Sequence, residues 1–372
     1  MSRLRFVPAR PLAVAATAVV VGGLTAGTAL AATQAPAGHR AAATTVTWHR
    51  LTLRNGWKSA RSASYNAANP SYAVSHGIVY LDGALHQATG SKTEFAALPP
   101  QARPAHTEFL TVLAGAGTGT PGTVEITPAG IMTASSSSGS TRSLTSLAAV
   151  DFPAAGGSWT RMALRPGWRS GAARFHTGRP AYTVRSGIVY LSGSSFKNGT
   201  GTAVARLGKN ARPRSVLYIS DYNHGGSAGY VVIYPDGFVY TDGASADVQT
   251  AFDGVSYPAA GAKLSWHKFT LATGWTSSQS AYQTGDPEYA VSGPIVYLAG
   301  SMNFSTSSGG SAFFASFPKV AQSSRLVARQ VYTFGGTTGG LTVETFGVAS
   351  STPASYAQSY TSLAGVAYPR NS

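Results

Sequence analysis

The densest group of side chains that could do chemistry lies in the segment ISDYNHGG, residues 219–226. Asp221, Tyr222, Asn223 and His224 follow one another there, and we expect them in a single hairpin loop. Carboxylate and amide oxygens beside an aromatic ring could hold a sugar or a calcium ion. A turn that needs no ligand has the same Asp/Asn/Gly composition. We favour the turn and keep these four residues as the candidate ligand-binding site.

The rest of the sequence contains no recognisable catalytic constellation. There is no cysteine, which excludes thiol nucleophiles, cysteine-ligated zinc and disulfides. No zinc-protease, serine-hydrolase, P-loop or dinucleotide motif occurs. The sequence therefore predicts no catalytic residue, no metal ligand and no cofactor. Two carboxylates that hydrolyse a glycosidic bond need not be adjacent in sequence, so a polysaccharide-active enzyme stays open as an alternative.

The elements that must position any site come in three copies of one pattern. The phrases WHRLTLRNGW, WTRMALRPGW and WHKFTLATGW contain all six tryptophans and begin at Trp48, Trp159 and Trp266. A second block reads YAVSHGIVYLDG, YTVRSGIVYLSG and YAVSGPIVYLAG, at residues 72–83, 182–193 and 289–300. The period of about 110 residues is the size of a whole domain rather than of a solenoid unit.

Carboxylates are scattered over these copies. Asp82, for example, aligns with Ser192 and Ala299, and no position in the well-aligned blocks is acidic in all three copies. Three equivalent active sites are therefore not expected, although a single active domain remains compatible with the sequence.

The repeated blocks alternate apolar and polar residues with the period of a β-strand. The Ile-Val-Tyr-Leu run of the second block is apolar on both faces and predicts a central strand that is buried on both sides. No helical periodicity follows residue 31. We predict an all-β chain of three tandem antiparallel β-sandwich domains, each with seven or eight strands, at residues 47–153, 158–258 and 265–369.

The first 31 residues have the pattern of a secretory signal peptide. Arg3, Arg5 and Arg10 precede an uncharged small-apolar run at residues 11–30, which ends in an A-x-A cleavage pattern. Residues 32–46 would be a linker. We predict a secreted, extracellular or cell-wall-associated protein with no membrane span after cleavage, and a retained membrane anchor is the alternative.

The charge of the chain indicates which partners it favours. The formal net charge is +15, or +12 once the three arginines of the signal peptide are removed. Such a field favours anionic partners such as acidic polysaccharide or cell-wall polymers, although it is equally compatible with a role in solubility alone. Basic residues are scattered rather than interleaved with aromatics, so we do not expect nucleic-acid binding.

The order of the repeated blocks resembles the compact β-sandwich modules of phage tail fibres and receptor-binding proteins. That order is W-x-x-L-x-L-x-x-G-W, then Y-x-V-x-x-G-I-V-Y-L-x-G, then F-x-x-L-P-x-x-x-R-P, then S-L-x-x-V-x-F. The shape family is similar to the jelly rolls of the C1q and tumour-necrosis-factor type. The resemblance rests on packing residues, so it implies a jelly-roll-like fold and says little about activity.

The resemblance also bears on assembly, because such jelly rolls usually work as trimers. It implies that the three domains of one monomeric chain form a single-chain pseudo-trimer. The predicted linkers, residues 154–158 and 259–265, are long enough to join neighbours around an axis, since extended chain spans about 3.5 Å per residue. Domains arranged as beads on a string are an equally weighted alternative.

From these features we expect a secreted, non-catalytic binding or adhesive protein that recognises carbohydrate or an anionic cell-surface polymer through loops that differ between the domains. Linked weak sites would raise its avidity. A structural exoprotein without a specific ligand and a polysaccharide-active enzyme are the alternatives.

Overall fold

Short β-strands make up most of the protein, and the prediction of an all-β chain is confirmed. The structure is a computed structural model that describes residues 46–61, 66–115, 120–136, 138–305, 312–352 and 359–370. Within these ranges the α-helices are limited to two single turns, Ala172–Phe175 (α1) and Gln279–Tyr282 (α2). None of the helices found there is long and apolar enough to cross a membrane. The predicted signal peptide lies outside the described residues, as does the predicted linker up to residue 45.

Repeat 1 is built from two antiparallel sheets. Its described strands are β1 (His49–Arg50), β2 (Trp57–Ser59), β3 (Ser71–Ser75), β4 (Ile78–Asp82), β5 (Ala84–Gln87), β6 (Glu94–Ala97), β7 (Glu108–Ala114), β8 (Thr120–Ile126), β9 (Ile131–Ser135), β10 (Thr145–Ser146) and β11 (Val150–Pro153). The smaller sheet has the order β1-β3-β4-β11 and the larger sheet the order β2-β5-β10-β7-β8-β9-β6.

Repeat 2 follows the same order with one additional edge strand. Its described strands are β12 (Thr160–Arg161), β13 (Ala163–Leu164), β14 (Trp168–Ser170), β15 (Ala181–Arg185), β16 (Ile188–Ser192), β17 (Ser194–Lys197), β18 (Ala203–Arg206), β19 (Leu217–Asn223), β20 (Ser227–Ile233), β21 (Phe238–Gly243), β22 (Thr250–Ala251) and β23 (Ser256–Pro258). The sheets run β12-β15-β16-β23 and β13-β18-β21-β20-β19-β22-β17-β14.

Repeat 3 has the arrangement of repeat 1. Its described strands are β24 (Trp266–Lys268), β25 (Trp275–Ser277), β26 (Glu288–Ser292), β27 (Ile295–Ala299), β28 (Ser301–Phe304), β29 (Phe313–Ser316), β30 (Val327–Thr333), β31 (Thr337–Val343), β32 (Val348–Thr352), β33 (Thr361–Ser362) and β34 (Ala367–Pro369). The sheets run β24-β26-β27-β34 and β25-β28-β33-β30-β31-β32-β29.

Each repeat therefore has more strands than the seven or eight predicted: eleven, twelve and eleven are described. The difference comes from segments as short as Thr145–Ser146, which pair with two neighbours at once. Such segments are too short to show an alternating pattern in the sequence.

The Ile-Val-Tyr-Leu strands are buried on both faces, as predicted. In β4, Val79 and Leu81 belong to the core between the two sheets of repeat 1. Ile78 points the other way and packs with residues of repeats 2 and 3, among them Ile188 and Ile295. Because side chains alternate along a strand, one segment builds both the core of its own repeat and the contact between the repeats.

The three repeats close into a ring. Equivalent main-chain contacts join each pair of neighbours, at Thr107 with Thr177, at Val216 with Gln283, and at Leu326 with Asn66. The Leu326 N–H donates to the Asn66 carbonyl at 3.1 Å, as the Val216 N–H does to the Gln283 carbonyl at 3.0 Å. The contact of Leu326 brings repeat 3 back to repeat 1. Strands β7, β19 and β30 also contact one another in all three combinations. The structure thus decides for the pseudo-trimer over beads on a string.

We call the contact between repeats 1 and 2 the first junction, that between repeats 2 and 3 the second junction, and that between repeats 3 and 1 the third junction.

Three equivalent tyrosines, Tyr80, Tyr190 and Tyr297, meet where the repeats come together. The hydroxyl groups of Tyr80 and Tyr190 lie 3.2 Å apart, and burial raises the pKa of Tyr80 to about 12.

The two tryptophans of each opening phrase have different environments. Trp57, Trp168 and Trp275 are buried in the sandwich cores with 4–6% exposure, and Trp57 Nε1 donates to the Lys92 carbonyl at 3.0 Å. Trp48, Trp159 and Trp266 are only half-buried and line clefts beside the junctions. The second tryptophan of each phrase is therefore a core residue, and the first is not.

Candidate functional site

The structure separates the four residues of the predicted ligand site. Asp221, Tyr222 and Asn223 are the last three residues of β19, and only His224 lies in the turn that follows, His224–Gly226. The prediction of a common loop is wrong, because the ladder between β19 and β20 continues to the pair Asn223–Ser227. The cluster that looks continuous in sequence is divided between the two faces of a strand.

None of the three strand residues faces open solvent. Asp221 and Asn223 are 1% and 0% exposed. Tyr222 stacks on Phe109 of repeat 1, with ring centroids 4.8 Å apart, so it is part of the first junction. His224 is exposed, and its Nδ1 lies 3.4 Å from Gln249 Oε1. Ligand binding by these four residues stays a prediction, but the geometry gives no support to a sugar site on the surface.

Each junction between repeats instead has a surface cleft beside the first tryptophan of a repeat. The third-junction cleft has a volume of about 430 Å³, and the first-junction cleft about 360 Å³. At the second junction Trp266 lines a small cleft, next to a wider one of about 620 Å³. Because the repeats differ outside their cores, the clefts of the three junctions carry different charges.

The third-junction cleft is the most basic. It is lined by Trp48 and by four arginines, Arg50, Arg61, Arg325 and Arg370. No ion pair among the described residues involves any of these four guanidinium groups. Arg50 and Arg61 come from repeat 1, whereas Arg325 and Arg370 come from repeat 3, so closure of the ring creates the cluster.

The cleft also contains one carboxyl group. Asp82, at the end of β4, lines the same cleft, and its Oδ1 accepts the backbone N–H of Gly83 at 2.7 Å. Burial raises the pKa of Asp82 to about 6. The cleft therefore gains positive charge as the pH falls through this value, because Asp82 loses its negative charge while the arginines keep theirs.

The first-junction cleft has a carboxyl group of a different kind. Arg161, Arg179 and Trp159 line it, together with Glu108 of repeat 1 and Ser192 of repeat 2. Ser192 Oγ donates to Glu108 Oε1 at 3.0 Å. Behind Glu108 lies a second carboxyl group, Asp253, and the two are hydrogen-bonded to each other.

The surroundings of this carboxyl pair decide which member holds the proton. Asp253 accepts the backbone N–H groups of Gly193 at 2.7 Å and Phe109 at 3.0 Å, which favours its charged form. The carboxyl group of Glu108 accepts a hydrogen bond from the Ser192 hydroxyl but none from a backbone N–H of the described residues. Burial and the neighbouring Asp253 raise the pKa of Glu108 well above its usual range. We therefore assign the shared proton to Glu108, which donates it to Asp253.

This direct contact differs from the geometry used in glycoside hydrolysis. Retaining and inverting enzymes separate their two carboxyl groups by about 5 Å or more to leave room for the sugar or a water molecule. The carboxyl pair is thus a junction contact that reaches a cleft.

No group of three or more metal-ligating His, Cys, Asp or Glu side chains occurs in the part of the chain that the structure describes.

At the second junction the available arginine is already engaged. Arg214 lies over the ring of Trp266, 4.3 Å from its centroid, and forms an ion pair with Glu288. The aligned positions in the other copies lack both groups, since Ala105 and Ser324 replace Arg214, and Ala181 and Ser71 replace Glu288. This cleft therefore offers an anion less than the third-junction cleft does.

Comparisons with protein-family models, with curated proteins and with solved structures find no match. The resemblance to tail-fibre modules and C1q-type jelly rolls therefore stays a prediction, and the function must be argued from the site itself.

Sequence reasoning missed the junction clefts because each combines residues of two repeats. Arg50 and Arg325 are distant in sequence and meet only when the ring closes. One signal was present: the first tryptophan of each phrase is followed two residues later by a basic residue, Arg50, Arg161 or Lys268. That spacing places the tryptophan and the basic residue on one face of a strand. The pattern of that strand does not show which residues of the neighbouring repeat lie opposite this face.

Proposed function

We propose that the chain is an exported, non-catalytic binding protein that recognises an anionic polymer, such as an acidic polysaccharide or a cell-wall polymer, at the third-junction cleft. The observation that carries the proposal is the set of four arginines around one cleft, none of which forms an ion pair with a carboxylate of the residues that the structure describes. Each guanidinium offers a planar fork of donors to carboxylate, sulfate or phosphate oxygens.

The position of Trp48 supports a sugar-containing polymer. The indole lines the same cleft as the arginines and is only half-buried. Binding sites usually combine such apolar aromatic surface with a few placed polar groups. A ring face for stacking beside charged donors suits a polymer that alternates sugar rings with acidic groups.

The ring arrangement supports binding at more than one point. The first-junction cleft repeats the combination of a tryptophan with arginines, Trp159 with Arg161 and Arg179. A long polymer that engages both clefts would gain avidity, because the second contact is intramolecular. The geometry therefore supports recognition at the junctions more than through the variable loops expected from the sequence.

Binding of defined polymers to the exported chain would test the proposal. The probes are a polyuronate, a sulfated glycan, poly(glycerol phosphate), single-stranded nucleic acid and neutral dextran. We expect binding to at least one acidic glycan or wall-type polymer, none to dextran, and weakening with added salt because exposed charges are screened.

A matched pair of variants locates the site. Arg50→Gln with Arg325→Gln removes two charges from the third-junction cleft, and we expect at least about tenfold weaker binding, which corresponds to the loss of about 1.4 kcal/mol. Lys58→Gln with Arg169→Gln removes two exposed charges away from the clefts and should change affinity by less than about threefold by the same conversion.

The pH dependence gives a further readout. Binding should strengthen as the pH falls through about 6, where Asp82 is neutralised, and Asp82→Asn should remove this dependence. Equal losses in both double variants would contradict a local site, and no binding to any acidic polymer would favour a structural exoprotein. Cleavage of a polymer by the chain would favour the enzyme alternative.

A further inference from the structure

The interior of repeat 2 is polar at positions where repeats 1 and 3 are apolar. The second residue of one strand is Leu85 in β5 and Met302 in β28, but Ser195 in β17. The fifth residue of another is Val112 in β7 and Val331 in β30, but Asp221 in β19. Leu85, Val112, Met302 and Val331 all belong to the sandwich cores.

Asp221 is the charged member of this polar interior. Its side chain is 1% exposed, and neither carboxylate oxygen has a hydrogen-bond partner from another described residue. Burial raises the pKa of Asp221 well above its usual range, and no basic side chain opposes that shift. Native proteins seldom leave a buried carboxylate without partners, because desolvation of the charge is costly.

Further oxygen atoms lie on the same inner face. Ser195 pairs with Thr250 across one ladder, and Thr250 pairs with Asn223 across the next. Thr250 Oγ1 lies 3.2 Å from Asn223 Oδ1 and 2.9 Å from Thr241 Oγ1. Ser195 Oγ is fully buried and has no partner among the described residues. Asn223 and Asp221, two residues apart in β19, face the same side.

Two glycines make room for the side chains of Asp221 and Asn223 on this inner face. Gly229 faces Asp221 in the ladder, and Gly243 faces Gly229 in the next. A Cβ atom at Gly229 would lie 2.5 Å from Asp221 Oδ1, and one at Gly243 would lie 2.9 Å from Asn223 Nδ2. Neither glycine could therefore become alanine without displacing the polar side chains.

We propose that this interior of repeat 2, which we call the polar chamber and define by Ser195, Asp221, Asn223 and Thr250, binds a hard metal cation with Asp221 as its charged ligand. Carboxylate, hydroxyl and amide oxygens are the ligands that such cations prefer. One carboxylate balances one positive charge, which favours sodium or potassium over calcium. The proposal is independent of polymer binding at the junction clefts.

Thermal unfolding of the full chain at constant ionic strength tests the proposal. Sodium, potassium or calcium chloride replaces tetramethylammonium chloride, whose methyl groups prevent direct coordination of the cation by oxygen ligands. An ion that binds only the folded state raises Tm with the logarithm of its concentration once its dissociation constant is exceeded. We expect such a rise with at least one metal ion, and comparison of the three ions identifies its charge and size.

Asp221→Val is the decisive variant, because valine occupies the equivalent position in both other repeats. It should fold and should show no metal-dependent rise in Tm. Asp242→Asn is the matched control: it removes a carboxylate exposed at the end of β21 and should keep the rise. A rubidium- or thallium-soaked crystal should show an anomalous peak in contact with an Asp221 oxygen.

Two results would overturn the proposal. One is a Tm that is the same in metal and tetramethylammonium salts. The other is an equal metal effect in the wild type and Asp221→Val. If Asp221 is simply protonated, the difference in Tm between the wild type and Asp221→Val will change with pH in the same way whatever cation is present, and that outcome also rejects a metal site.

Discussion

The first and third junctions are built on the same main-chain contact, but the charged groups buried at the two junctions differ. The first junction contains two carboxyl groups, Glu108 and Asp253, that share a proton. The third junction contains a buried guanidinium, that of Arg329. Burial raises the pKa of Asp151 and the positive charge of Arg329 lowers it, with a net value of about 6. Arg329 Nη1 also donates to the Thr111 carbonyl at 3.0 Å.

The difference shows what a single chain gains over three identical ones. In a homotrimer each charged group would occur three times around the axis, and its burial cost would be tripled. Here Arg329 corresponds to Leu110 and Ile219, and Asp151 corresponds to Ser256 and Ala367, so each charge occurs once. Ser256 even donates its hydroxyl to Asp151 Oδ2 at 3.0 Å. Each junction can therefore carry its own chemistry on a shared backbone.

The largest effect should come from removing the buried guanidinium of the third junction, whose positive charge stabilises the charged form of Asp151. Arg329→Leu introduces a residue like that of the other repeats but leaves Asp151 buried without its guanidinium. We expect a loss of about 3 kcal/mol in the free energy of unfolding at pH 7, measured by urea denaturation. The loss should shrink at pH 5, where Asp151 can be protonated.

The double variant Arg329→Leu with Asp151→Ala replaces both buried charges by the residues of equivalent positions, Leu110 of repeat 1 and Ala367 of repeat 3. It should recover most of the lost stability, because replacing a whole buried pair by apolar groups is often nearly neutral. A double variant that is no more stable than Arg329→Leu would show that the pair does not interact as described.

A smaller, pH-dependent effect is expected at the first junction. The pKa of Glu108 is raised in the folded state, so above pH 4.5 the unfolded chain loses this proton before the folded chain does. The unfolding free energy should therefore fall as the pH rises, by up to about 1.4 kcal/mol per pH unit from this group, until its folded pKa is reached.

Glu108→Gln keeps a donor for Asp253 without a titrating proton. The difference between wild type and variant, measured by denaturation between pH 5 and 8, isolates the contribution of Glu108 from those of the other buried carboxyl groups. Parallel curves for the two proteins would show that Glu108 does not hold the proton.

The smallest effect concerns a backbone position that the junctions share. Gly254 and Gly365 have φ values of 73° and 75°, and a Cβ atom there would lie 2.9 Å from Leu110 Cδ2 and 2.7 Å from Ile219 Cγ2. The third junction has Ala149 instead, at φ 59°. Alanine is strained there by about 1 kcal/mol, so Ala149→Gly should be neutral or stabilising by up to about that amount.

The matched opposite change, Gly254→Ala, adds both strain and overlap with Leu110 and should destabilise the first junction. Thermal unfolding of both variants sharpens the comparison. A destabilising Ala149→Gly would show that the alanine methyl group, which packs with core residues of repeat 3, contributes more than the strain it causes.

Particular residues show how far sequence reasoning reached. Val79 and Leu81 lie on one face of the strand and Ile78 and Tyr80 on the other. Because both faces are apolar, the sequence was sufficient to predict a strand buried on both sides. It could not show that Ile78 meets Ile188 and Ile295 of other repeats. The segment of Asp221 to His224 looked like a polar loop, but backbone pairing with β20 kept Asp221, Tyr222 and Asn223 in the strand, because ladder hydrogen bonds outweigh the turn preference of Asp and Asn.

The sequence by itself determined the all-β class, the three copies and the core positions, because these depend on local alternation and on repetition along the chain. Only the tertiary structure decided that the copies close into a ring. It also decided that Arg50 and Arg61 meet Arg325 and Arg370 in one cleft, and that Asp221 faces inward without a partner. These features depend on contacts between residues far apart in sequence, and the pattern of one strand carries no information about the residues packed against it.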